Sequence, residues 1–185
     1  SDTRPAFAPD FLDRDTDEAV RLFDALGIRR LALVGHSDGG SIALLIAANH
    51  AGRVDRLVSV AAHIYFEDPT AVGLQGIVQS AQASPVRDAL EREHGDKASA
   101  LVCAWAELWM APAMRSLNRR TSLRKIACPT LVVQHELDEH ATPQHARDIA
   151  EGVQRGELWL IPGVRHMPIH EVPEEFNRRV IEFLG

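Results

Sequence analysis

The chain has 185 residues, of which 45% are hydrophobic and 25% are charged, and its formal net charge is −6 at pH 7. This length is enough for one domain with a sizeable core, and the composition is that of an ordinary globular protein. The negative charge argues against a role in nucleic-acid binding, because phosphate backbones are bound by basic faces.

The sequence predicts a cytoplasmic protein without a membrane-spanning segment. No apolar run reaches the about 18 residues that a spanning helix needs. The opening residues SDTRPAFAPDF lack the basic and apolar regions of a signal peptide. Cys103 and Cys128 stand far apart and outside any metal-binding spacing, which predicts two reduced thiols.

The N-terminal part of the chain alternates helices and strands. Asp10–Leu26 carries its apolar residues on one broad face and ends before Gly27, which predicts an amphipathic helix. The short apolar run Leu31–Val34 predicts a buried strand, Ser41–His50 a buried helix and Leu57–Ala61 a second strand.

The C-terminal part repeats this alternation. Thr130–Gln134 predicts a strand, Pro143–Val153 a helix, Glu157–Ile161 another strand and Pro173–Leu184 a terminal amphipathic helix. Strands that alternate with helices predict an α/β fold, in which helices cover both faces of a parallel sheet.

Between these two parts, residues 63–127 contain no convincing strand and are predicted to form several helices. Leu101, Trp105, Leu108 and Trp109 make an aromatic stripe at helical spacing. The stripe is typical either of a cap that lines a pocket or of an ordinary packed insertion. We favour the cap, because parallel sheets bind ligands beyond the carboxyl ends of their strands.

The turn after the first predicted strand reads GHSDGG and allows three interpretations. A dinucleotide-binding fingerprint would need glycine at the position of Ser37, between Gly35 and Gly40, and a ribose-binding acid after the next strand. Asp55 precedes that strand, so this interpretation is disfavoured. The glycines alone are also compatible with a purely structural tight turn.

The third interpretation is a nucleophile elbow. Gly35-His36-Ser37-Asp38-Gly39 fits G-x-S-x-G between a strand and a helix, which is the context the motif requires. The residues two before and two after the serine must lack colliding side chains, because the serine sits on a strained turn. The backbone N–H of Asp38 is then expected to face the oxyanion of a tetrahedral intermediate.

A serine nucleophile needs a base and an acid that orients the base. His166 follows the last predicted strand, and Asp138 follows the third. The order Ser37, Asp138, His166 is the one expected for this kind of site. The rival residues are Glu136, Glu139 and Asp68 for the acid and His170 for the base.

Together, the segments GHSDGG, HELD and GVRHMPIHEVPEEF resemble the α/β-hydrolase superfamily, and within it the serine hydrolases related to valacyclovir hydrolase. The resemblance implies an α/β-hydrolase fold with a helical cap, and hydrolysis of a small-molecule ester or amide without a cofactor or metal. It implies Ser37 as nucleophile, His166 as base and Asp138 as orienting acid. The resulting domain prediction is a hydrolase core of residues 1–62 and 128–185 and a cap of residues 63–127.

The sequence departs from the family pattern in two places. His135 stands where the family usually has glycine, in the turn that carries Asp138. The first four strands of the fold, with a loop that donates the second oxyanion N–H, are expected to be absent from this chain. Leu31–Val34 would then be a bare sheet edge, and pairing with a second copy of the chain would cover it.

The predicted substrate-binding residues are Asp38, His36, Trp105 and Trp109. The Asp38 carboxylate is either a solvated group at a helix N-terminus or a pocket group that attracts a cationic substrate. An alternative to the enzyme is a truncated, catalytically impaired hydrolase fold that acts as a binding module.

Overall fold

The computed structural model describes residues 10–185, and its centre is one four-stranded sheet in the order β1-β2-β3-β4 with every neighbouring pair parallel. The predicted parallel sheet is confirmed. Because parallel strands end at the same edge, the residues after β1, β3 and β4 converge there. The strands are β1 (Leu31–His36), β2 (Val54–Val60), β3 (Thr130–His135) and β4 (Gly156–Ile161).

Helices cover the sheet and fill the segment between β2 and β3. Two short 3-10 turns, Gly95–Lys97 and Met114–Ser116, lie beside the helices of that segment. The helices are α1 (Phe11–Ala25), α2 (Asp38–Asn49), α3 (Asp68–Ala81), α4 (Val86–His94), α5 (Ala98–Met110), α6 (Arg120–Leu123), α7 (Pro143–Gly152), α8 (Pro168–Glu171) and α9 (Pro173–Leu184).

Two elements begin three residues before their predicted starts, whereas β1, β3 and β4 differ from their predicted bounds by one or two residues. Strand β2 begins at Val54, three residues before the predicted start, because its pairing with β1 already joins Leu31 to Val54 and Ala32 to Arg56. Asp55 accepts a hydrogen bond from Arg30 Nε at 2.9 Å there. Helix α2 begins at Asp38, so no loop separates it from Ser37.

The core lies on both faces of the sheet. On one face, Leu57 and Val132 pack with residues of α1, α2 and α7. On the other face, Val58 and Val133 pack with Phe176 of α9. The central strands β2 and β3 are therefore almost entirely buried, as expected for a parallel sheet that has helices on both sides.

A third apolar cluster joins the segment 63–127 to the rest of the molecule. Leu74 of α3 and Trp109 of α5 pack there against Leu12 of α1 and Leu45 of α2. The boundary between a core and a cap stays a prediction, and residues 1–9 of the predicted core lie outside the described residues. Within residues 10–185, no helix is long and apolar enough to cross a membrane.

Candidate active site

Ser37 sits on a strained turn between β1 and α2. Its φ is 55° and its ψ is −124°, a conformation that residues with a side chain rarely adopt. The surrounding backbone holds the turn, because the Ser37 N–H donates to Val60 O at 2.8 Å and Ser37 O accepts from the Ser41 N–H at 3.1 Å. The strain is therefore maintained by hydrogen bonds from β2 and α2.

The glycines around Ser37 differ in their steric roles. A Cβ on Gly35 would lie 2.2 Å from Gly39 O, and a Cβ on Gly40 would lie 3.0 Å from Val60 O. No atom lies within 4 Å of a Cβ built on Gly39. The expectation that the residue two after the serine, Gly39, must lack a side chain is therefore wrong here. The positions with no room for a Cβ are Gly35, which lies against the Gly39 backbone, and Gly40, which lies against the Val60 backbone.

Asp138 and His166 meet at the carboxyl ends of β3 and β4. His166 Nδ1 lies 3.0 Å from each carboxylate oxygen of Asp138. The buried carboxylate also accepts from Gln134 Nε2 at 2.8 Å and from the His140 N–H at 2.9 Å. A carboxylate held from three sides can fix the ring orientation of His166 and leave its Nε2 available as a base.

Electrostatics keep this carboxylate ionised. Burial alone would raise the pKa of Asp138, but the nearby His135 and His166 side chains and the hydrogen bond from the His140 N–H outweigh it and hold the pKa well below its usual range. The nearby His140 ring is neutral at pH 7, because burial and then the adjacent His166 ring lower its pKa to about 4. Asp138 therefore carries a negative charge beside a neutral imidazole.

Ser37 and His166 line one cavity, together with Asp38, His140 and Trp105. The cavity is narrow, with about 20 Å³ of room for the centre of a water-sized sphere. Within residues 10–185, the structure places no hydrogen bond between the Ser37 hydroxyl and His166. Such bonds are often long before substrate binds, so the shared cavity is the relevant geometric relation.

The sequence matches the family described as "Alpha/beta hydrolase family" over residues 1–179. The chain belongs to this family. It is 31% identical over 186 residues to Serine hydrolase BPHL from Homo sapiens, which covers 96% of this chain and 62% of that protein. It is 28% identical to 2-hydroxymuconate semialdehyde hydrolase from Pseudomonas sp. (strain CF600), covering 98% of this chain and 71% of the relative.

Solved structures of this alpha/beta hydrolase family share the fold. The meta-cleavage product hydrolase CumD from Pseudomonas fluorescens IP01 matches with a TM-score of 0.76 and 22% identity, over 98% of this chain and 74% of that chain. The predicted α/β-hydrolase fold is thus confirmed. The chain spans 62% of the length of the human and mouse BPHL relatives.

Asp38, the residue after the serine in the family motif, points into the cavity. Its Oδ2 accepts from Trp105 Nε1 at 2.8 Å and from Trp109 Nε1 at 3.3 Å. Burial raises the pKa of its carboxyl above the ordinary value, although the two indole hydrogen bonds oppose this. Asp38 is therefore a half-buried wall group held by α5, and not a solvated carboxylate.

His36 lies behind the base instead of on the cavity wall. Its Nε2 lies 2.8 Å from the backbone oxygen of His166, and the two ring centroids are 4.6 Å apart. Burial lowers the pKa of His36. A backbone carbonyl oxygen can only accept a hydrogen bond, so His36 Nε2 must carry the proton and donate it. His36 therefore holds the backbone of His166 in place. This geometry differs from the predicted contact with substrate.

Two of the rival residues have other partners, and the other two are exposed. Glu136 accepts from the Gly163 N–H at 3.0 Å, and Glu139 pairs with Arg165 at 2.8 Å. Asp68 is an exposed residue in the first turn of α3, and His170 is an exposed residue of α8. None of these four groups bonds to His166 among the described residues.

Two residues that bond to Asp138 were not singled out from the sequence, whereas His135 was noted there as a departure from the family pattern. Gln134 and His140 bond directly to its carboxylate, and His135 lies with its Nδ1 3.7 Å from Oδ2. Both nitrogens of His135 are buried without a hydrogen-bond partner. One signal was available for Gln134, since a polar residue that ends an apolar parallel strand faces the ligand edge of the sheet.

Histidines gather around the site, but they do not form a metal centre. In the part of the chain from residue 10 to residue 185, no group of three or more His, Cys, Asp or Glu side chains is arranged to hold a metal ion. The site is instead a strained serine, a carboxylate-oriented imidazole and a helix N-terminus.

Proposed function

We propose that this protein is a serine hydrolase that cleaves an ester or amide bond of a small molecule through an acyl-enzyme. The observation that carries the proposal is the His166 ring, held 3.0 Å from both oxygens of Asp138 in the cavity that Ser37 also lines. Membership of a family of hydrolases supports the same reaction class.

In the proposed mechanism, Ser37 Oγ attacks the substrate carbonyl while His166 Nε2 takes the hydroxyl proton. Asp138 stabilises the imidazolium that forms. The oxyanion accepts a hydrogen bond from the backbone N–H of Asp38 at the N-terminus of α2, where the helix dipole favours negative charge. His166 then protonates the leaving group as its bond to the carbonyl carbon breaks. It next takes a proton from the water that attacks the acyl-enzyme and returns it to Ser37 Oγ as the bond between Oγ and the acyl group breaks.

The experiment that tests this proposal is labelling with a fluorophosphonate probe, which forms a covalent adduct with activated serines. We expect labelling of the wild-type chain and none of Ser37→Ala. Ser41→Ala is the matched control, because Ser41 lies on the next turn of α2 and bonds to His63 O at 2.9 Å. A folded wild-type sample that takes no label would overturn the proposal. The remaining interpretation would then be the non-catalytic binding module.

We further propose that the substrate carries a cationic group that binds Asp38, as an amino-acid ester does. The two indoles occupy Oδ2, so Oδ1 is the acceptor that remains for a ligand. Trp105 and Trp109 flank this carboxylate, and aromatic faces stabilise a nearby ammonium group. A charge that is partly shielded from water attracts a cation more strongly than an exposed one does.

Replacing Asp38 by asparagine is expected to reduce kcat/KM for an amino-acid ester about 10- to 100-fold, relative to a neutral ester of the same shape. The reason is loss of a partly desolvated ion pair. Because the pKa of Asp38 is raised, the wild-type preference should also weaken as the pH falls through that pKa and the carboxylate is protonated.

The measurement is the ratio of kcat/KM for the two esters across a pH series. Asp68→Asn is the matched control, because Asp68 occupies the first turn of α3 and is exposed. An unchanged preference for the amino ester in Asp38→Asn would contradict the proposal that Asp38 binds the cationic group of the substrate.

A further inference from the structure

The acid loop, defined as residues 138–142, is held by the segment that precedes and begins helix α3. This loop carries Asp138 at one end and Thr142, which caps α7, at the other. Cap residues bond to it at two places, and a third contact is a close approach of backbones. These contacts lie outside the residues that react with substrate.

The first contact is at the carbonyl oxygen of His140. Thr70 Oγ1 donates to this oxygen at 3.0 Å, and His63 Nε2 lies 3.1 Å from it. Thr70 is only 3% exposed. A carbonyl oxygen has two lone pairs, so both of its acceptor positions are occupied and the orientation of His140 is fixed.

The same residue reaches both Asp138 and His166. The His140 N–H donates to Asp138 Oδ1 at 2.9 Å, and the His140 ring packs edge-on against the His166 ring with centroids 4.5 Å apart. A shift of the His140 backbone would therefore alter the carboxylate and the imidazole together.

The second contact is at Thr142. Glu67, the residue before α3, accepts from the Thr142 N–H at 3.0 Å and from Thr142 Oγ1 at 2.9 Å. The close approach is at Gly73, where a Cβ would lie 2.1 Å from His140 Nδ1 and 2.7 Å from Glu139 O. The start of α3 thus rests directly on the acid loop, with no room for another side chain between them.

We propose that the first turn of α3 is a positioning element for the catalytic site. Thr70 and Glu67 hold the acid loop so that Asp138 and His166 keep their mutual geometry. Thr70 lines the same cavity as Ser37, but its hydroxyl donates to the His140 carbonyl oxygen, so it acts on the site as a positioning residue. The cap segment then contributes to the rate of the reaction and not only to the shape of the pocket. This inference rests on the proposed hydrolase function.

The test replaces Thr70 by valine, which keeps the shape and removes the donor. We expect kcat for ester hydrolysis to fall about three- to tenfold with KM nearly unchanged, since one neutral hydrogen bond is lost. Thr70→Ser, which retains the hydroxyl, should restore the wild-type kcat. In Thr70→Val, the proton NMR resonance of His166 Nδ1–H should shift or broaden, because its bond to Asp138 is less well held.

Thr16→Val is the matched control. Thr16 is 1% exposed, and its hydroxyl donates to Leu12 O at 2.7 Å within α1. The Thr16→Val variant therefore loses a comparable buried hydrogen bond that does not involve the acid loop. We expect a lower melting temperature for Thr16→Val with an unchanged kcat and resonance. The same result for Thr70→Val, a stability loss alone, would overturn the proposal.

The two proposals fail in different ways. If the wild-type chain takes no fluorophosphonate label at Ser37, the hydrolase function fails, whereas the His166 resonance still tests the positioning role without turnover. If the wild type is labelled and Thr70→Val matches it in kcat and in the resonance, only the positioning role fails.

Discussion

Replacing Asp138 by asparagine is expected to lower kcat for ester hydrolysis about 10⁴-fold, the loss typical of such a change in a Ser-His-Asp site. Both carboxylate oxygens accept hydrogen bonds, from His166 Nδ1, from Gln134 Nε2 and from the His140 N–H. In asparagine, an NH₂ group with two N–H donors replaces one of the carboxylate oxygens that now accept hydrogen bonds. When His166 accepts a hydrogen bond from that amide, its Nδ1 is unprotonated, which puts the proton on Nε2 and removes the base.

The measurement is steady-state kcat with one ester on wild type and variant. Glu136→Gln is the matched control, because Glu136 is an exposed acid in the same turn and bonds to the Gly163 N–H. It should keep kcat within about twofold of wild type, as expected for a surface change. If Asp138→Asn retained a kcat close to wild type, Asp138 would not be the orienting acid.

Replacing Gly35 by alanine is expected to destabilise the protein by more than about 3 kcal/mol, the range of severe overpacking. The new Cβ would lie 2.2 Å from Gly39 O and 2.6 Å from Gly39 C, and both atoms belong to the backbone of α2. The helix cannot move away without breaking the hydrogen bond from the Ser41 N–H to Ser37 O. Soluble yield and Ser37 reactivity should be lost together.

Gly39→Ala is the matched partner of that change and should behave in the opposite way. The new Cβ would have no atom within 4 Å, and the position lies in the first turn of α2, where alanine is a better helix former than glycine. We expect a free energy of unfolding within about 1 kcal/mol of wild type, on the stabilising side. Chemical denaturation measures both variants. Equal losses in the two would contradict the steric distinction between the motif glycines.

Much of the fold follows from local patterns in the sequence. The apolar runs before Gly35 and after Pro129 predicted β1 and β3, because strands of a parallel sheet are rich in apolar residues. The predicted burial is confirmed for β3 but wrong for β1, which stands at one end of the strand order and leaves Val34 52% exposed. The early start of β2 was not predicted, since Asp55 and Arg56 interrupt the apolar pattern. Their place in the strand comes from pairing with β1, which joins Ala32 to Arg56 and is not visible as a local signal.

Part of the site was also predictable. Ser37, Asp138 and His166 each follow a strand, and the carboxyl ends of parallel strands meet at one edge, so their order along the chain predicted their proximity. The structure brings Asp138 and His166 into contact. The surroundings of Asp38 were left open by the sequence, because they depend on where α5 packs over α2. The same holds for Thr70 and His140, whose contact joins two distant segments.

The position of residues 63–127 between β2 and β3 has a consequence for how the molecule forms. The register pairs Leu57 with Thr130, so these neighbouring strands can associate only after the long intervening segment has been brought back on itself. Contacts between residues so distant along the chain are slow to form, because loop closure costs entropy before pairing compensates it. Asp138 and His166 lie beyond this junction, whereas Ser37 lies before it. The serine turn belongs to a region of short-range contacts, and under the proposed mechanism Ser37 can react only after the distant half of the sheet has docked.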